Sequence, residues 1–293
     1  LYKGDKTHIS IDGLRDGMVG MQFFACWISP KTRYHSSLKR GLNLIHTYDN
    51  MLKLHDEIFH PILSYRDIWD AHKQGRIGAM LTVEGGDILE AEISNLRILY
   101  KLGVRSLTLT WNYRNELADG VLEDKSNGGL SSFGYLVVQE MNHMGMLVDL
   151  SHISKKGFYD VLEVSRKPIA ATHSNAYKVA SHPRNLTDSQ IRAVADNKGI
   201  IGVNFYPAFL TDGNKATVKD IISHIEHMAK IGGIDVIGFG SDFDGIENTP
   251  EGIVGPEGFK LIINDLLRLN YSEDDVKKIA HGNFKRVLKS VLK

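Results

Sequence analysis

Seven short apolar runs recur along this chain, at 19–28, 77–84, 105–111, 146–152, 168–173, 200–205 and 236–242. Most lack polar alternation, which is how a strand reads when both faces are buried in a parallel sheet covered by helices. Amphipathic stretches separate them. Residues 37–58 carry Leu38, Leu42, Ile45, Met51, Leu52 and Ile58 among charged positions, and 89–102 space Ile93, Leu96, Leu99 and Tyr100 at helical intervals. Thr187-Asp188-Ser189-Gln190 and Ser272-Glu273-Asp274-Asp275 read as capping boxes that open helices. Repeated strand–helix units predict an α/β fold with parallel strands. A length of 293 residues suits one (β/α)8 TIM-type barrel, with 1–293 as a single domain. A closed barrel of this type needs eight strands. The expectation is that the first strand lies upstream of Leu1; an open sheet is the alternative.

Composition narrows the partners. Hydrophobic residues at 42% and charged residues at 24% allow a large core and argue against disorder. Lys plus Arg and Asp plus Glu both number 35, so no net charge draws nucleic acid or an anionic membrane. No run approaches the ~20 apolar residues of a membrane span, and no signal peptide stands out. The one cysteine, Cys26, sits in Gln22-Phe23-Phe24-Ala25-Cys26-Trp27-Ile28 and reads as a small buried residue rather than a nucleophile. A cytoplasmic setting fits that usage.

Four of the apolar runs end in a residue suited to metal or proton chemistry. Leu81-Thr82-Val83-Glu84-Gly85-Gly86 ends in Glu84, Leu147-Val148-Asp149-Leu150-Ser151-His152 in His152, and Ile169-Ala170-Ala171-Thr172-His173 in His173. Gly238-Phe239-Gly240-Ser241-Asp242-Phe243-Asp244-Gly245 ends in an acidic pair. A carboxylate or imidazole at the edge of a core costs free energy unless it is paired or metal-bound. Neutral imidazole and carboxylate suit zinc, a carboxylate can bridge two ions, and a further Asp can move protons. Other readings stand beside these. Glu84 could cap the next helix, and either Asp242 or Asp244 could serve the turn at Gly245; Asp242 comes first off the strand. Arg184 lies in a loop where it could hold a substrate carboxylate in a bidentate pair, or bridge the loop at the surface. His224 and His227 read as structural members of a helix, and His143 as helix surface.

Taken in order, these segments are specific. Gly20-Met21-Gln22-Phe23-Phe24, Val83-Glu84-Gly85-Gly86, Ser106-Leu107-Thr108-Leu109-Thr110, Asp149-Leu150-Ser151-His152, Thr172-His173-Ser174-Asn175-Ala176, Arg184-Asn185, Val203-Asn204-Phe205-Tyr206 and the 238–245 segment resemble the membrane dipeptidase family, zinc peptidases among the amidohydrolase barrels. The resemblance implies that Glu84 bridges two zinc ions and that His152 and His173 bind the second. It implies that Asp242 handles protons while a bridging hydroxide attacks, and that Arg184 holds the terminal carboxylate of a dipeptide. It also implies acceptance of a C-terminal D-residue and a homodimer. Two departures accompany it. The family's His-x-Asp pair on the first strand has no counterpart near the start of this sequence; Thr7-His8-Ile9-Ser10 lacks the Asp. Trp111 stands where many members carry a His that stabilises the tetrahedral intermediate, and its indole N–H offers one hydrogen bond to substrate instead. A related amidohydrolase acting on another small amide, and a degenerate peptide-binding barrel, are the competing functions.

Overall fold

The computed structural model describes residues 7–32, 36–213 and 215–293. The upstream strand expected from the sequence lies outside them. Strands and helices alternate along the chain, and the strands pair in parallel within each unit described below, so the fold class is α/β as the sequence predicts. The chain forms two compact units, one of residues 20–169 with 288–293, the other of 7–19 with 170–287.

The first unit holds β1 (Met21–Trp27), β2 (Phe59–Pro61), β3 (Ile77–Glu84), β4 (Ser106–Thr108) and β5 (Leu147–Asp149). β3 is the central strand. β1 pairs along one edge, from Met21 opposite Gly78 to Trp27 opposite Glu84. The other edge is shared: β2 pairs with 77–79 and β4 with 82–84. β5 then pairs with β4. Both faces of β3 are buried, as its unbroken apolar run predicts, whereas β1 is only partly covered. β2 is the strand missed in the sequence. It is three residues long and ends in Pro61, too short to show a period and closed by a residue that cannot donate to a ladder.

In the second unit β6 (Ala170–Ala171), β7 (Ile200–Val203) and β8 (Ile237–Phe239) pair in sequence order. Gly202 and Gly240 flank the Thr172 carbonyl so closely that a Cβ on either would collide with it. That close approach explains both glycines. The Thr187–Gln190 capping box is present and opens the helix Asp188–Asp196. Ser272 accepts from the Asp275 N–H and opens Glu273–Lys277. His227 pairs with Asp188 at 2.7 Å, and His224 is fully buried on the helix Val218–Gly232, as structural readings require.

Candidate metal centre

Glu84 is the last residue of β3, and its carboxylate Oε1 lies 3.0 Å from His152 Nε2. Two glycines let the chain leave the strand there. Gly85 takes φ 107°, and Gly86 packs so closely on the Leu109 carbonyl and Leu117 that a side chain has no room. His152 follows β5 by three residues and is held from two directions by residues 112–121. Its Nδ1 is 2.7 Å from Asn112 Oδ1, and its carbonyl accepts from the Val121 N–H at 2.7 Å. An amide oxygen only accepts, so Nδ1 carries the proton. In a neutral ring, Nε2 then presents a lone pair to a carboxylate oxygen. A protonated ring makes this an ion pair with Glu84, whereas the neutral ring with its lone pair on Nε2 gives two donor atoms that one metal ion can join. Two ligands on one zinc at ~2.0 Å each lie roughly 3.3 Å apart in a tetrahedral site, so this donor set fits a metal. Trp111 lies alongside, its ring 5.9 Å from that of His152 and 5.6 Å from Trp27.

Behind this pair the polar groups are satisfied locally. Asp149 is buried and accepts from the Thr108 hydroxyl at 2.6 Å and the Ser151 N–H at 3.0 Å. Asn115 ties the 112–118 loop to the Leu109 carbonyl and to Asp87. Cys26 is buried, and burial pushes its thiol up to about 12, which makes it inert as the sequence suggests.

In the second unit, His173 follows β6 by two residues, with Nδ1 2.9 Å from the Thr172 hydroxyl. Its carbonyl accepts from Arg184 Nη2 at 3.3 Å. Arg184 is buried rather than a surface residue, and its guanidinium lies 5.5 Å over the Phe209 ring. Burial, reinforced by Arg184, depresses the pKa of the neighbouring His182. Asp242 follows β8 by three residues. Its Oδ2 accepts from Asn204 Nδ2 at 2.9 Å, and its carbonyl accepts from the Gly245 N–H at 3.0 Å. Asp244 is used differently: its Oδ1 accepts from the His8 N–H at 2.6 Å. The first unit therefore brings Glu84, His152 and Trp111 together, and the second holds His173 with Arg184 and, separately, Asp242 with Asn204.

Three asparagines were not assigned roles from sequence. Asn112 holds His152, Asn204 holds Asp242, and Asn175 accepts from the Asn204 N–H at 2.9 Å. Asn204 carries a usable signal, since it too is a polar residue ending an apolar strand run. Asn112 lies in a polar loop with no such mark.

An α/β fold with a carboxylate and an imidazole facing each other where parallel strands end offers the kind of donor set that a metallohydrolase uses. The chain matches the model of the membrane dipeptidase family, peptidase family M19, over residues 1–293, and it belongs to that family of metallo-dipeptidases. It is 33% identical to an uncharacterized dipeptidase of Schizosaccharomyces pombe, over 98% of this chain and 73% of that protein. It is also 33% identical to dipeptidase aclJ of Aspergillus oryzae, over 95% of this chain and 68% of that one. Among solved structures, dipeptidase AC, a metallo peptidase of family M19, superposes with a TM-score of 0.94 at 26% identity, over 100% of this chain and 91% of that one. A metallo peptidase from Rhodobacter sphaeroides, liganded with a phosphinate mimic of the dipeptide L-Ala-D-Ala, superposes at 0.93 with 25% identity, over 99% and 92%. These likenesses accord with the TIM-type barrel class expected from the sequence.

Proposed function

We propose that this enzyme is a zinc-dependent dipeptidase whose metal is held by Glu84, His152 and His173. The observation that carries the reading is the Glu84–His152 pair, a carboxylate oxygen and an imidazole nitrogen facing each other at 3.0 Å. When bound, the metal supplies an activated water and polarises the scissile carbonyl. Glu84 is the group able to bridge to a second zinc ion. Asp242, oriented by Asn204, takes the proton of the attacking water and returns it to the leaving amine. Arg184 holds the dipeptide's terminal carboxylate, and Trp111 donates its indole N–H to the substrate. The L-Ala-D-Ala mimic on the R. sphaeroides relative supports acceptance of a C-terminal D-residue. The family match along the whole chain supports a single metallohydrolase domain, 1–293. No helix among the described residues is long and apolar enough to cross a membrane. A cytoplasmic homodimer completes the proposal, the dimer resting on the family resemblance.

The test is hydrolysis of a panel of L,L- and L,D-dipeptides by the purified protein, with added zinc and with a chelator. Chelator-sensitive cleavage of free dipeptides is the expected result. Cleavage of N-blocked substrates at the same rate would point to another small amide as substrate. No cleavage by the folded, zinc-supplemented protein would overturn the proposal.

A further inference from the structure

We infer that Asn112 is a positioning residue, which sets the tautomer and orientation of His152 so that Nε2 is the metal-facing atom. The inference rests on the reading of His152 as a metal ligand and adds the group that decides which nitrogen binds. An imidazole offers two nitrogens, and the partner of one fixes the role of the other. Here Asn112 Oδ1 accepts a hydrogen bond from the Nδ1 N–H at 2.7 Å, and Nε2 faces Glu84.

The loop holds Asn112 firmly enough for this task. Its carbonyl accepts from the Leu122 N–H at 2.9 Å. Gly120 packs against the carbonyl groups of Trp111 and Asn112, and a Cβ there would collide with both. The next residue, Val121, donates to the His152 carbonyl. One short segment thus fixes the backbone of His152, the side chain that orients its ring, and the indole beside it. Gly120 is required by the close approach, so the loop cannot relax away from His152 without giving up these bonds.

Zinc alone is the probe. Metal-stripped wild type, Asn112→Leu and Asn112→Asp are titrated with zinc. Loss of an orienting partner lowers affinity by ~10–100-fold, which is expected for Asn112→Leu. Asn112→Asp keeps an acceptor in place and is expected to bind zinc at least as tightly as wild type. Zinc binding weakened in Asn112→Asp as well would overturn the inference, because Asp keeps both the size and the acceptor. The second readout is nitrogen NMR of the zinc-loaded wild type with labelled histidine, which needs no variant to fold. His152 is expected with a protonated Nδ1 and a zinc-bound Nε2. Zinc on Nδ1 would overturn the inference and leave the metal site standing. A His152 spectrum unmoved by zinc would overturn both. Wild-type affinity in Asn112→Leu would overturn the inference alone.

Discussion

His224 should make this protein acid-sensitive in a way that can be isolated from its metal site. The ring is fully buried, accepts from the Ala176 N–H on Nδ1 at 3.0 Å and donates from Nε2 to the Leu210 carbonyl at 3.0 Å. Burial is the main cause that pushes it from the ordinary 6.5 down to about 4. Between those values the unfolded chain binds a proton that the folded chain refuses. Stability is therefore fully present above 6.5 and falls as the pH drops toward 4. For these two values the loss between about pH 7 and about pH 5 is on the order of 2 kcal/mol. His224→Leu removes the titrating group, but strips two buried backbone groups of a partner at ~1–3 kcal/mol each. The variant should then be about 3 kcal/mol less stable than wild type near neutrality. That gap should close to about 1 kcal/mol near pH 5, because wild type alone loses the protonation term. Guanidinium unfolding at the two pH values, with chelator present throughout, removes any contribution from metal ligands. A gap that stays constant with pH would refute the reasoning, since the buried ring would then titrate alike in both states.

Two further outcomes concern the chemistry. Asp242→Asn should retain bound zinc and lose ~10²–10⁴-fold in turnover, the ordinary worth of a positioned proton carrier; unchanged kinetics with metal present would remove Asp242 from the mechanism. Arg184→Ala should raise KM for free dipeptides by ~10–100-fold, the worth of a charged hydrogen-bonded pair, and affect carboxylate-free amides much less. Equal losses would mean that its bond to the His173 carbonyl is the whole of its role.

The sequence made the framework legible because burial on both faces writes itself as an unbroken apolar run. β3 is the clearest case, and the polar residue that ends it is the one that meets His152. β2 was invisible because three residues carry no period. The predicted strands also ran long. β5 stops at Asp149 and β8 at Phe239, so His152 and Asp242 stand in the turns beyond, on backbone the apolar pattern cannot describe. The residues that orient the site were harder still. Asn112 and Asn204 act through single side-chain hydrogen bonds, and a lone amide in a sequence gives no sign of which group it will meet. Asp244 shows the converse: two residues from Asp242 and identical in chemistry, it is tied to His8 instead of Asn204.

The turns themselves explain why two of these positions are occupied as they are. His152 sits at φ 71° and Asp242 at φ 62°, in the left-handed region that glycine enters freely. A side chain there costs of order 1–2 kcal/mol. Gly85, at the corresponding turn after β3, avoids that cost because the functional side chain, Glu84, is already supplied by the strand itself. After β5 and β8 no such option exists, since a glycine at 152 or 242 would remove the imidazole or the carboxylate. The strain persists because neighbours over-determine it: Val121 and Asn112 on His152, Gly245 and Asn204 on Asp242. Glycine at either turn would relieve the backbone cost and remove the functional group with it. The left-handed region also holds Asp244 and residues elsewhere such as Met18, Glu90 and Lys198, so it is the hydrogen bonds made by His152 and Asp242, and not their φ values, that mark these two turns.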